Sequence, residues 1–269
     1  MGKLAWLTDP HFDMLSDHEF TALLDTWSKI EVDGLVITGD IADGDTLFAV
    51  LTALDATLPF PIWFVLGNHD YYGTSIDEQR LAVRQWCLQA KRTTWLADVR
   101  HIHLSNETAL LGHGGWADGG YGDFHASNIV LNDYRLISEL TGHPKRELAR
   151  RLAHLGRDAA AVIERQLVDA FRTHKHVILA THVPPFVEAC WYQGQATVNE
   201  WTPHFSCKAV GDCLRDVAAT YPEHTIRVYC GHTHSGGVAQ IAPNLHVTTG
   251  GATYGQPGLQ AGILWKDEA

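Results

Sequence analysis

No apolar run in this 269-residue chain approaches the roughly 20 residues that a membrane-spanning helix needs. There is no internal repeat, no linker and no low-complexity tract. The opening stretch, MGKLAWLTDPH, goes directly into a strand pattern, without the charged, apolar and small-residue regions of a secretory signal. Five cysteines, Cys87, Cys190, Cys207, Cys213 and Cys230, form no CxxC pair, and their odd number leaves one out of any disulfide set. These absences lead to the expectation of a cytoplasmic protein with reduced thiols and no membrane segment. Positive charge is also scarce: 20 Lys and Arg stand against 31 Asp and Glu, a formal charge of -11. Wide nucleic-acid contact wants a positive surface, so nucleic acid is not the expected partner. Small phosphate esters remain open, because a bound cation reverses the local field whatever the global charge.

The chain is long enough for one large core, and a single domain over residues 1–269 is expected. KLAWLT (3–8), GLVIT (34–38) and PIWFVL (61–66) read as buried strands. Between them, Ser16 with Glu19 forms a capping box, and residues 45–57 look helical, as do 75–90 beyond the third strand. Strand and helix in regular alternation imply an α/β fold with parallel strands and crossover helices. Pro144 opens a helical pattern to about residue 172, then come a strand HVILAT (176–181), a helix near 207–220 and a strand RVYC (227–230). The tail GGVAQIAPNLHVTTGGATYG alternates and turns like antiparallel strands.

Two stretches fit neither pattern and are expected as insert or lid loops, 112–135 and 183–206. Within the first, residues 112–128 are glycine-rich and carry Trp116 and Tyr121. GHGGWA (112–117) formally matches a dinucleotide fingerprint, but DGGYGD follows it rather than a helix, so that reading is set aside. In the second, Trp191, Tyr192 and Trp201 are expected to close a minor core or a homodimer contact rather than to form a lid over substrate. Lys145, Arg146, Arg150 and Arg151 are expected to be the solvated face of a helix.

Of the 17 histidines, those that matter follow predicted strands. Asp9 and His11 follow the first strand, Asp40 and Asp43 the second, and Asn68, His69 and Asp70 the third. His182 follows HVILAT, and His232 and His234 follow RVYC. In parallel α/β sheets ligands bind at the carboxyl ends of strands, so these groups point toward one edge. Carboxylate, carboxamide and imidazole donors without thiolates suit divalent Mn, Fe or Zn rather than a closed structural zinc site. Their number suits two ions about 3.5–4 Å apart sharing one carboxylate, an arrangement in which a bridging water loses a proton near neutral pH and becomes a nucleophile.

The five blocks Asp9-Pro10-His11, Gly39-Asp40-Ile41-Ala42-Asp43, Gly67-Asn68-His69-Asp70, His182 and Gly231-His232-Thr233-His234 stand in that order across residues 9–234. In this the chain resembles the calcineurin-like metallophosphoesterases. The resemblance implies a two-sheet β-sandwich flanked by helices, a four-layer α/β/β/α arrangement, and a hydrolase of phosphate esters. It implies that Asp9, His11 and His234 hold one metal, that Asn68, His182 and His232 hold the other, and that Asp40 bridges the two. It also implies that His69 faces the scissile phosphate and protonates the leaving oxygen, with Asp43 orienting His69. The glycines before Asp40, Asn68 and His232 fit sharp turns at strand ends. Asp70 receives no catalytic role.

One departure narrows the substrate. The phosphoprotein phosphatase branch carries an arginine after the second Asp of its GDxxD block, and here that position is Gly44. The expected substrate is therefore a small phosphate monoester or diester. A nuclease, a phosphoprotein phosphatase and a non-catalytic protein-binding scaffold of the same fold are the alternatives.

Overall fold

The protein, described by a computed structural model for residues 1–196 and 200–267, is built from two sheets and their covering helices. In chain order the elements are β1 (Gly2–Leu7), α1 (Asp17–Trp27), β2 (Gly34–Thr38), α2 (Leu47–Thr57), β3 (Ile62–Val65) and α3 (Ile76–Cys87). Next come β4 (Thr93–Trp95), β5 (Ile102–His103), β6 (Thr108–Gly112), α4 (Asp133–Leu136), α5 (Lys145–Ala170) and β7 (His176–Ala180). The remainder is β8 (Trp191–Tyr192), β9 (Gln195–Ala196), α6 (Thr202–Phe205), α7 (Lys208–Thr220), β10 (Thr225–Cys230), β11 (Gly237–Ala242), β12 (Leu245–Thr249) and β13 (Ile263–Trp265).

One sheet has the order β13-β1-β2-β3-β4 and the other β11-β12-β10-β7-β6-β5. Their central strands run parallel, and the edge strands β13, β11 and β5 pair antiparallel. The side-chain period of two assigns each residue to a layer. Leu4 and Trp6 of β1, with Val36, Val65, Leu110 and Ile178, form the core between the sheets. The alternate residues Ala5, Leu7, Leu35 and Ile37 face outward and pack with Leu24 of α1, Leu51 of α2 and Val83 of α3. On the other side, Leu111, Val177 and Leu179 pack with Ile163 and Leu167 of α5 and Leu214 of α7. Three stacked cores therefore define the four layers expected from the sequence.

The Ser16–Glu19 capping box is formed, and Ser75 caps α3. Within α5, Glu147 pairs with both Arg150 and Arg151, as a solvated helix face would. Lys145 instead donates to the Ser127 carbonyl. Strands β4, β5 and β6 escaped the sequence reading: two are very short, and TALLG of β6 is a buried strand without alternation. The tail does supply an antiparallel pair, β11–β12, but residues 250–262 form no regular element, and β12 also runs parallel to β10. No helix follows GHGGWA, whose Trp116 is buried in the core. The expected 183–206 loop contains the hairpin β8–β9 and helix α6; residues 197–199 lie outside the described residues. All five cysteines are free, and no helix among the described residues is long and apolar enough to cross a membrane.

Candidate metal centre

Every strand that the sequence marked ends at the same edge. Asp9 and His11 follow β1, Asp40 follows β2, and Asn68 and His69 follow β3. His182 follows β7, and His232 and His234 follow β10. Asp9, His11, Asp40 and His234 offer ligand atoms that all lie within 4.8 Å of one another, and Asp40, His182 and His232 form a second such group. Asp40 belongs to both. Asn68 joins the second group through its carboxamide oxygen, 3.1 Å from His182 Nε2.

The facing nitrogens are set by what the opposite ring nitrogens touch. His182 Nδ1 donates to the Thr38 carbonyl at 2.9 Å, which leaves Nε2 toward Asp40 Oδ1 at 3.4 Å and His232 Nδ1 at 3.1 Å. His232 Nε2 donates to the His204 carbonyl at 3.2 Å, so its Nδ1 is the inward atom. His11 Nε2 lies 3.3 Å from His234 Nε2 and 3.7 Å from Asp40 Oδ2.

The backbone is bent to make this possible. Among the described residues, six non-glycine positions have positive φ, and five of them are Asp9, His11, Asp40, His232 and His234. Such left-handed conformations are unfavourable for residues with a Cβ and collect at functional sites. The expectation of sharp glycine turns holds in one place: Gly39 has φ +88°, while neither Gly67 nor Gly231 is left-handed. Those two serve close approach. A Cβ at Gly67 would lie 2.2 Å from Asp40 Oδ1, and one at Gly231 would lie 2.0 Å from Asp9 Oδ2.

Electrostatics fit a cation-binding donor set. Asp9 and Asp40 are buried, and among the described residues no Lys or Arg pairs with either. Burial pushes the Asp40 carboxyl well above the usual range, helped by Asp9 and Asp70 and opposed by His182. Burial also raises Asp9, but the His234 hydrogen bond and the neighbouring His182 and His234 hold it below the ordinary carboxylate range. Burial lowers His11 and His232 to about 3, so their rings carry lone pairs at neutral pH. Buried carboxylates with unprotonated imidazoles and no ammonium or guanidinium partner call for added positive charge.

His69 stands apart from both donor groups. Its backbone N–H donates to Asp40 Oδ1 at 2.9 Å, and its Nδ1 lies 3.1 Å from Asp43 Oδ1. Its ring packs against His11 and Tyr72, with centroids 4.6 and 4.2 Å away. Asp70 turns out to be structural: its carboxylate accepts from the backbone N–H groups of Gly67, Ile41 and Ala42, tying the third-strand loop to the second.

Sequence reasoning missed three supporting residues. Asp133 Oδ1 accepts from Asn68 Nδ2 at 2.9 Å and from the Tyr72 hydroxyl at 2.8 Å, which aims the Asn68 oxygen at the second donor group. Asp133 comes from the irregular 112–135 stretch, where no motif marks it. Tyr254 lies 4.7 Å from the His11 and His234 rings, in a tail read as strand. Third is His204, in the irregular 183–206 stretch. Its ring bonds to the Tyr134 hydroxyl at 2.6 Å and to the Ser127 hydroxyl at 3.0 Å, and its carbonyl holds His232.

A two-layered sheet sandwich with paired donor groups on one strand edge is the layout of a metal-dependent hydrolase. The family model described as calcineurin-like phosphoesterase matches residues 2–236, and the chain belongs to that family of metallophosphoesterases, hydrolases of phosphoric ester bonds. Similar solved structures include phosphopantetheinyl hydrolase from Mycobacterium tuberculosis, at 13% identity and TM-score 0.66, covering 94% of this chain and 90% of that one. A dimetal phosphatase from Danio rerio shares 14% identity at TM-score 0.58, covering 93% of this chain and 87% of that one. GAP50, the anchor in the inner membrane complex of Plasmodium, shares 14% identity at TM-score 0.51, covering 93% and 71%. At these identities the likeness is one of fold. No curated protein matches the sequence.

Proposed function

We propose that the protein hydrolyses small phosphate monoesters or diesters with two divalent cations, Mn, Fe or Zn. The observation that carries this reading is the presence of Asp40 in both donor groups. Asp9, His11 and His234 would hold one cation, Asn68, His182 and His232 the other, and Asp40 both. When bound, the pair supplies Lewis-acid stabilisation of charge on the phosphoryl oxygens and a water acidic enough to attack phosphorus. As the P–O ester bond breaks, the leaving oxygen needs a proton. His69 would give it as an imidazolium: its Nδ1–H donates to the Asp43 carboxylate, which fixes the ring, and its Nε2–H is the proton passed on. Asp43 is thus an orienting residue.

Gly44 supports a small substrate over a phosphoprotein. A Cβ there would lie 2.5 Å from the Tyr72 carbonyl, so the present backbone has no room for an arginine. The net charge of -11 argues against a nuclease. The same reading takes residues 1–269 as one domain, since Asp9, Asp40 and Asn68 come from one sheet while His182, His232 and His234 come from the other. Five free thiols, three of them buried, are consistent with a cytoplasmic setting.

The test is hydrolysis of p-nitrophenyl phosphate and of bis(p-nitrophenyl) phosphate, with and without added Mn, beside elemental analysis. Metal-dependent turnover of at least one ester is expected. A protein that holds two cations per chain and cleaves neither would be a scaffold, and the proposal would fail.

A further inference from the structure

A cavity of about 380 Å³ opens beside the donors, with His232 and His234 in its wall. The other walls are mostly rings: Trp191 and Tyr192 of β8, Trp201 and Phe205 at α6, and Tyr254. Among the described residues that line it there is no Asp, Glu, Lys or Arg. The volume falls within the range of small-molecule sites, which are mainly apolar with a few polar groups at one end. Here the polar end is the metal centre itself.

The rings connect to the donors by contact. Phe205 packs on the His232 imidazole, with centroids 4.6 Å apart and planes 31° from parallel, and Trp201 meets Phe205 edge-on at 5.9 Å. Trp191 anchors the hairpin at its root. Gly237 of β11 makes room for it, since a Cβ there would fall 2.1 Å from the indole. The hairpin turns at Gln193 and Gly194, both with positive φ, which suits a tight two-residue turn. Tyr192 is 62% exposed and Trp201 47%, so both rings present surface to solvent next to the donor groups.

Tyr192 and Trp201 are too exposed for the minor core expected of them, and with Trp191 they line this cavity. Each face of such a ring favours another flat ring, whereas an anionic leaving group would find no cation among the described lining residues. We propose that the cavity is the leaving-group subsite, and that it takes an alcohol bearing a neutral, flat aromatic ring, such as an aryl group or a nucleobase. The proposal rests on the phosphoesterase reading and deepens it.

Two substrate pairs isolate the ring while keeping the leaving oxygen similar: adenosine 5′-monophosphate against ribose 5-phosphate, and 2-naphthylmethyl phosphate against ethyl phosphate. In the metal-loaded protein at least one ring-bearing ester should be favoured about 10- to 100-fold in kcat/KM, as stacking on aromatic side chains would give. Trp201→Ala and Tyr192→Ala should each bring that ratio toward one. A second readout is direct binding of adenosine and 2-naphthylmethanol, followed by saturation-transfer NMR, which Trp201→Ala should weaken. Ratios near one for both pairs, or a preference that neither variant reduces, would overturn the subsite while leaving the phosphoesterase reading intact. Ring binding that depends on Trp201, in a protein that cleaves no ester, would uphold the ring-binding cavity but overturn its role as a leaving-group subsite together with the phosphoesterase reading.

Discussion

The metal edge and the aromatic cavity meet at His232, yet they are built by opposite means. On the metal side the donors are mostly buried and held by left-handed backbone, by glycines placed where a Cβ would collide with Asp9 or Asp40, and by outer partners such as Thr38, His204 and Asp133. On the cavity side the rings stand on a short hairpin, a one-turn helix and an irregular tail, and several are half exposed. The first region holds its charged and polar groups in one fixed geometry, which phosphoryl chemistry requires. The second offers apolar faces that tolerate variation in what they cover. Substitutions on the two sides should therefore act on different quantities, with metal content and turnover on one side and discrimination between esters on the other.

The largest effect is expected at the residue common to both donor groups. Asp40→Asn should remove most of the bound metal and lower kcat/KM by about a thousandfold or more, read by elemental analysis and steady-state kinetics. Full metal content with full activity would break the division at its root. Next in size is His69→Ala, expected to lower kcat by about 100-fold or more while metal content stays near wild type. Retained turnover would remove His69 from the reaction.

Smaller again is the effect of an outer partner. Asp133→Ala should weaken metal affinity by about 10- to 100-fold, because Asn68 loses the acceptor that aims its carboxamide. Metal titration by calorimetry reads this directly, and unchanged affinity would show that Asn68 is oriented by other contacts.

These targets also show what could be read from the chain alone. The convergence of the residues following buried strands was legible because short motifs at strand ends recur with a fixed chemistry, and β1, β2, β3, β7 and β10 are apolar enough to be located. Asp133 was not legible: it reaches Asn68 across 65 residues of sequence, from a segment without periodicity. The cavity was not legible either, since Trp191, Trp201 and Tyr254 are brought together only by tertiary packing. The role of Asp70, three N–H groups gathered by one carboxylate, likewise depends on two loops meeting.

A fourth measurement concerns stability and lies outside both regions. His113 is buried, its Nδ1 accepts from the Gly115 N–H, and burial with nearby Arg80 lowers its pKa to about 3 from an ordinary 6.5. Below pH 6.5 the unfolded chain binds this proton and the folded one does not. Stability is therefore complete above that pH and falls as pH drops toward 3. The expected slope from this one group is about 1.4 kcal/mol per pH unit. Comparing urea unfolding of wild type and His113→Gln between pH 6 and pH 4 should show a shallower dependence in the variant. Equal slopes would mean that His113 takes up its proton in the folded state.

The most direct test of the paired-cation centre is anomalous scattering from crystals grown with manganese. Two peaks about 3.5–4 Å apart are expected, with the Asp40 carboxylate between them and His69 bound to neither. A single peak, or a pair that does not share Asp40, would contradict it.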